Sequence, residues 1–228
     1  MTSTAPTSDP ASTTASTTAS TTASTTGPGL GRVAALLVLS APVGLLLSEL
    51  VAPRETSDLS EAQDLAFLLD NSARLTASWL LGLVVAGLLA TAYVLVVSRI
   101  RGRGAGVGRV AGVLGVSGAV GLAGHYAISL ASLDVAQHGA AASTVGAMED
   151  GTGAVATLLP LIIGANLAII CLAVASTRAG WTHWWVVVAG VLALVADFSP
   201  TSWNTALHAV LATAVFGAVV AGLRSPRS

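Results

Sequence analysis

Six long apolar stretches constrain the fold of this chain more than any other feature of its sequence. Each holds about 20 residues, the length of α-helix that crosses the roughly 30 Å hydrocarbon core of a bilayer. A helix also satisfies its backbone hydrogen bonds internally, as a segment surrounded by lipid must. The sequence therefore predicts an all-α, polytopic membrane protein with six transmembrane helices, at about 31–52, 75–98, 109–132, 153–176, 182–198 and 203–223.

The amino-acid composition agrees with this class of protein. Charged residues make up 9% of the chain, whereas soluble domains contain about 25%. The single cysteine, Cys171, excludes a disulfide or a Cys-based metal motif within one chain. We expect the lipid bilayer to be the main partner and expect no binding to nucleic acid.

The apolar segments divide the chain into three parts. Near the start, "ASTTASTTASTTASTT" repeats one tetrapeptide and offers no large apolar side chain whose burial could offset the entropy of ordering it. The predicted parts are a disordered Ser/Thr/Ala-rich tail at 1–29, the six-helix transmembrane domain at 30–224, and a short cytoplasmic tail at 225–228.

The arginines fall unevenly on the two sides of the predicted bundle. An excess of arginine marks the cytoplasmic side of a membrane protein, so both termini are predicted to lie in the cytoplasm and the chain in the plasma membrane. All five tryptophans lie near predicted boundaries, as an aromatic belt requires. The arginines on the cytoplasmic side are Arg32, Arg99, Arg101, Arg103, Arg109, Arg178, Arg224 and Arg227, against Arg54 and Arg74 on the other.

One cytoplasmic loop, "RIRGRGAGVGR", concentrates positive charge. It has neither the G-x-G-x-x-G spacing nor the preceding strand of a dinucleotide-binding loop. Arginines near a membrane surface attract anionic lipids. The predicted contacts with anionic lipid headgroups are those of Arg99, Arg101, Arg103 and Arg109.

The first outer loop, "SDLSEAQDLAFLLDNSAR", has apolar residues at helical spacing. This pattern predicts a short amphipathic helix with an N-cap at Ser57 or Asp58. We expect the helix to lie along the outer membrane surface.

Ionisable side chains at membrane depth are costly, and they mark either a functional site or an interior partner. Glu49 and Asp197 lie at the outer ends of the first and fifth spans. At about 1.5 Å per residue, His125 and His208 each lie about 12 to 13 Å below the outer boundary. Asn204 precedes His208 by one turn. The sequence predicts a polar cluster of these five residues in the outer half of the bundle.

Several chemistries fit such a cluster. It could bind a small ligand or ion in a transport-like protein, with histidines that titrate near neutral pH. Alternatively, His125 and His208 could ligate a haem or a divalent metal, although no cofactor is required by the sequence. The remaining interpretation is a scaffold in which polar side chains only join helices, each pair contributing about 0.6 kcal/mol.

An enzymatic activity is not predicted. The sequence "GVSG" at 115–118 is similar to the serine motif of rhomboid proteases, which also have six spans. However, Ser117 is about 12 Å from the cytoplasmic side, whereas His208 is close to the opposite face. A nucleophile and its base must lie within hydrogen-bond reach, which these depths do not allow.

Glycine and proline predict two features of helix packing. Glycines recur every three residues from 112 to 124, so we expect the third span to be central and its neighbours to approach closely. Pro160, Gly164 and Asn166 predict a kink near the middle of the fourth span, with one polar group beside it. Such a break can line a transport path or be structural only.

The succession "SEAQDLAFLLDNSARLTASWLLGLVVAGLLATAYVLV", an arginine-bearing turn and a glycine-rich third span carries a family resemblance. It resembles the uncharacterised six-span integral membrane proteins of actinobacteria over residues 31–223. The absence of lysine and the excess of Ala, Gly and Val indicate a high-GC genome, which agrees. The resemblance implies a six-span fold but no activity and no site residues.

Overall fold

The computed structural model describes residues 31–53, 59–199 and 204–224. Within these ranges all regular secondary structure is helical. The α-helices are α1 (Arg32–Val51), α2 (Glu61–Asp70), α3 (Ser72–Val97), α4 (Ala105–Gln137), α5 (Ala142–Glu149), α6 (Thr152–Leu159), α7 (Asn166–Arg178), α8 (Trp185–Asp197) and α9 (Asn204–Arg224). A 3₁₀ turn, Gly102–Gly104, precedes α4, and a π-helical segment, Pro160–Ala165, joins α6 to α7.

Five helices are long and apolar enough to cross a membrane. They correspond to the predicted first, second, third, fourth and sixth spans. The predicted third span, 109–132, was bounded by its apolar residues. α4 continues beyond this apolar stretch at both ends and is therefore longer than predicted. The helix ends at Gln137, and Gly139 beyond it has a φ of 85°, the left-handed conformation that glycine adopts readily after a helix.

The predicted fifth span, 182–198, is a shorter helix than expected. α8 has 13 residues and rises only about 20 Å. The residues before it form a turn in which the Thr182 hydroxyl is 3.0 Å from both the Ser176 Oγ and the Thr177 Oγ1. These contacts hold the chain in a turn, so the helix begins at Trp185 and not at residue 182, where the predicted span begins.

The long helices form a ring. α1 packs against α3 and α9, α3 against α4, and α4 against the continuous helical segment formed by α6, the π segment and α7. α7 packs against α9 and closes the ring. α8 packs against both α7 and α9. A ring of this kind encloses an axis along which side chains from several helices meet.

The glycines of α4 allow the close approach that the sequence predicts. A Cβ at Gly118 would lie 2.5 Å from the backbone nitrogen of Ala165. A Cβ at Gly121 would lie 2.5 Å from that of Leu161. Gly115 accommodates the ring of Tyr93 instead. The predicted close approach is therefore confirmed, and α4 itself is one member of the ring, packed between α3 and the α6–α7 segment.

The predicted irregularity in the fourth span is present as the π-helical segment. Proline has no backbone N–H to donate, so the regular hydrogen-bond ladder is interrupted at Pro160. A π-helical turn, in which each hydrogen bond spans one residue more than in an α-helix, accommodates this interruption. Within the π-helical segment, Gly164 packs against the backbone of Gly118, and Asn166 begins α7 directly after it.

Two short helices lie outside the ring of long ones. α2 confirms the predicted loop helix, but its N-cap is Ser60, whose backbone N–H donates to Gln63 Oε1 over 2.9 Å. Leu68 of α2 is buried with Leu133 of α4 and Val145 of α5. α5 was not predicted, because "ASTVGAME" has no marked apolar periodicity.

Two tryptophans differ from the predicted aromatic belt. Trp181 is 9% exposed, and its backbone packs against Gly222 of α9. Trp79 is half-buried and faces the interior of the ring. Trp184 and Trp185 are exposed, as an interfacial position requires. Predictions for 1–29, Arg54, the Ser57 or Asp58 cap, the turn at 200–203 and the tail at 225–228 lie outside the described residues.

Candidate functional site

A cavity of about 560 Å³ lies inside the ring of helices. Residues from α1, α3, α4, the α6–α7 segment, α8 and α9 line it, and α2 contributes at one end. Most of the lining is apolar. Four of the five predicted site residues are among the polar groups that line it, namely Glu49, His125, Asp197 and His208.

A short side-chain hydrogen bond joins α7 to α8 at the cavity. Asn166 Nδ2 donates to Asp197 Oδ2 over 2.7 Å and to the carbonyl oxygen of Ile162 over 2.9 Å. Both amide hydrogens are thereby used. Asn166 is 3% exposed, and its Oδ1 is buried without a hydrogen-bond partner in the described part of the chain. The Asn166–Asp197 pair therefore retains one buried acceptor atom, Asn166 Oδ1, that receives no hydrogen bond from the described residues.

His208 lies beside this pair. Its Nδ1 is 3.1 Å from the carbonyl oxygen of Ala193 and 3.9 Å from Asp197 Oδ1. Because a carbonyl oxygen only accepts, Nδ1 must carry the hydrogen. In the neutral ring, Nε2 is then an acceptor. The separation of 3.9 Å from the carboxylate is beyond hydrogen-bond range, so the two groups interact only through space.

A second polar group surrounds His125 on α4. The rings of His125 and Tyr126 lie 5.7 Å apart at 45°. Tyr126 and Glu49 both line the same cavity as His125. Ser78 Oγ of α3 donates to the carbonyl oxygen of Ser48, the residue before Glu49, over 2.9 Å. This bond connects α1 and α3 at the level of Glu49.

Asp197 is hydrogen-bonded to the middle of a neighbouring helical segment. Its partner, Asn166, is about halfway along the segment Thr152–Arg178. The carboxylate therefore has a partner inside the bundle and also lines the cavity, with its side chain 33% exposed.

Asn204, the fifth predicted site residue, begins α9 and is half-buried. It does not line the cavity. Asn166, Tyr126 and Asp64 do line it, but were not predicted as site residues. For Asn166 the signal was present, since it is a lone amide in an apolar span beside a proline. Asp64 was missed because α2 was expected to lie flat on the membrane.

The haem or metal hypothesis for His125 and His208 requires further ligands or a macrocycle between the two rings. Among residues 31–53, 59–199 and 204–224, no three His, Cys, Asp or Glu side chains group closely enough to hold a metal ion. The two histidines share the cavity, but with Asn166, Asp197 and Tyr126 as their polar neighbours.

Comparisons with known proteins add no functional information. No protein-family model matches the chain, and neither a curated protein nor a solved structure matches it. The resemblance to six-span proteins of actinobacteria therefore stays a prediction. The functional argument depends on the cavity and the residues that line it.

Proposed function

We propose that this protein is a multi-pass plasma-membrane protein that binds a small ligand or ion in its central cavity, in a binding or transport-like role. One observation carries the proposal. Glu49, His125, Asp197 and His208, which the sequence marks as costly in a membrane, come from four different helices and line one cavity of about 560 Å³. A scaffold would need polar contacts between neighbouring helices but no space between them.

The proposal includes six spans with both termini in the cytoplasm. It counts α8, the shorter helix at the predicted fifth span, as a span in addition to the five long helices, and the distribution of arginine supports the orientation. Single cysteines in a Cys171→Ala background test it. His138→Cys, in an exposed loop, should react with a membrane-impermeant maleimide in intact cells, and Arg101→Cys should react only after lysis. The reverse pattern would overturn the orientation.

We also propose that anionic lipid headgroups bind at Arg99, Arg101, Arg103 and Arg109. Attraction of about 1 kcal/mol per arginine near an anionic surface supports this. Native mass spectrometry of protein from mixed phosphatidylglycerol and phosphatidylcholine nanodiscs tests it. Replacing all four arginines with glutamine should abolish enrichment of the anionic lipid. Equal enrichment in the variant would contradict the proposal.

Binding in the cavity is tested by thermal unfolding of the purified full-length protein in a neutral detergent. The probes are inorganic cations and anions and small cationic, neutral and anionic organic solutes. At least one should raise the unfolding temperature, and the double variant His125→Ala/His208→Ala should lose that increase. His138→Ala, an exposed histidine outside the cavity, is the matched control. Asp197→Asn provides a second cavity variant if the double variant fails to fold.

The same purified protein distinguishes other outcomes. A Soret band or stoichiometric metal, lost in the double variant, would replace the proposal with a haem or metal protein. If no probe raises the unfolding temperature and the protein contains neither haem nor metal, the scaffold interpretation would replace the proposal.

A further inference from the structure

The described lining of the cavity is acidic. Glu49, Asp64 and Asp197 contribute carboxyl groups to it. Among the residues that the structure describes, no arginine lines the cavity, and the chain contains no lysine. The other ionisable side chains in this described lining are two histidines and two tyrosines. A carboxylate in apolar surroundings is costly unless an opposite charge pairs with it.

The cluster formed by Asn166, Asp197 and His208 needs a hydrogen-bond donor. In the described part of the chain Asn166 Oδ1 is buried without a hydrogen-bond partner, and Asp197 Oδ1 lies 3.9 Å from His208 Nδ1, beyond hydrogen-bond range. The His208 tautomer that donates to Ala193 leaves Nε2 as an acceptor. The Asp197 side chain is 33% exposed, so a ligand can reach it. α7, α8 and α9 thus each place a residue with an acceptor atom in the lining of one cavity.

An N–H donor with a positive charge fits this cluster better than a bare metal ion. The described residues provide no group of three metal-ligating side chains. The cavity also continues past the cluster into apolar surroundings that include Leu89, Ile169 and Phe216. Towards α2 it is lined by Trp79 and Tyr126, whose ring faces attract cations. The space is therefore suited to a cation with an apolar body.

We propose that the cavity selects an organic ammonium compound, a primary or secondary amine with an apolar body. The N–H groups of the ligand donate to Asp197 and to the orphan acceptor of Asn166, while the body occupies the apolar part. The proposal rests on the function proposed above and names the class of ligand.

Three probes of the same shape test the sign of the charge: 4-phenylbutylamine, 4-phenylbutanol and 4-phenylbutyrate. An alkylamine, like the lysine side chain, is protonated at pH 7. Binding is measured by isothermal titration with the full-length protein in a neutral detergent. We expect the amine to bind at least 10-fold more tightly than the alcohol and the carboxylate to bind more weakly than both.

Asp197→Asn removes the charge and keeps the shape, and it retains an acceptor for Asn166. We expect this variant to bind the amine no more tightly than the alcohol, with the affinity for the alcohol unchanged. The unchanged alcohol affinity shows that the cavity is intact. Asp134→Asn, whose side chain is 71% exposed and outside the cavity, should behave as the wild type does.

Two results would overturn the inference. Equal affinity of the wild type for amine and alcohol would remove the charge preference but leave the proposed cavity binding in place. Equal affinity for the amine in the wild type and in Asp197→Asn would mean that the amine binds to the detergent or to another surface of the protein and not at Asp197. Failure of all three probes, together with every probe of the wider panel, would instead contradict the proposed function itself.

Discussion

α4 packs closely against a neighbouring helix on one face and borders open space on another. On one face, Gly118 and Gly121 bring the helix against the backbone of the α6–α7 segment, with no room for a single added carbon. Leu122, Tyr126 and Ser129, the cavity face, border a cavity of about 560 Å³. Close packing and open space thus meet at Gly121 and Leu122, which are adjacent in sequence and about 100° apart around the helix.

The difference shows how the bundle can tolerate a polar cavity. Without a hydrophobic driving force between helices in lipid, association depends on close van der Waals packing, which small residues permit. The glycine face of α4 supplies this packing. On the cavity face, Leu122 and Tyr126 pack against Ala86 of α3, but this face also borders open space that polar side chains line. Stability and binding should therefore respond most strongly to changes on different faces.

The largest effect is expected at the glycine face. Gly121→Ala places a Cβ 2.5 Å from the backbone nitrogen of Leu161, and backbone on both sides cannot shift without cost. We expect the free energy of unfolding to fall by about 2 kcal/mol, as measured by denaturation in mixed detergent micelles. Gly87→Ala in α3 is the control, since nothing lies within 4 Å of its added Cβ. Equal losses in both variants would mean that the close contact is unimportant.

The next effect concerns the polar pair across the cavity wall. In a double-mutant cycle of Asn166→Ala and Asp197→Ala, we expect a coupling free energy of about 1 kcal/mol, within the range of polar pairs between membrane helices. The reason is their 2.7 Å hydrogen bond. Unfolding free energies of the four proteins provide the measurement. Strictly additive losses would show that the pair does not hold α7 and α8 together.

A smaller effect on stability is expected at the cavity face. Leu122→Phe adds more volume than Gly121→Ala at the neighbouring position, but it adds it beside open space. We expect the unfolding free energy to change by less than about 1 kcal/mol, because the ring can enter the cavity without overpacking. Binding of 4-phenylbutylamine should weaken. A loss as large as that of Gly121→Ala would erase the contrast between the two faces.

The smallest effect is expected at α2, which borders the cavity through Asp64 and Leu68. Ser60→Ala removes a hydroxyl that donates to Gln63 Oε1 over 2.9 Å. Loss of an N-cap of this type costs about 0.5 to 1 kcal/mol. Hydrogen exchange should become faster in α2 only. Faster exchange throughout α3 and α4 would instead make this helix part of the bundle core.

Much of the helix pattern could be read from the chain, because span length, glycine spacing and the Pro160 irregularity are local properties. α5 could not, since it is short and packs through tertiary contacts with α2 and α4. The length of α8 was overestimated because apolar composition continues into a turn that side-chain hydrogen bonds of Thr182 hold. His125, His208, Asp197 and Glu49 were recognisable because charge and imidazole are rare in apolar spans. The sequence could not show that they share a cavity.

By itself, then, the sequence determined that the chain is a set of apolar helices and which of their side chains are out of place in lipid. Both follow from the free energy of transferring one residue or one segment, which depends little on the rest of the fold. Only the tertiary structure decided that Asp197 meets Asn166, 31 positions away, and that Asn204 does not line the cavity. Such contacts depend on the rotation and height of each helix against its neighbours, which packing sets and composition does not.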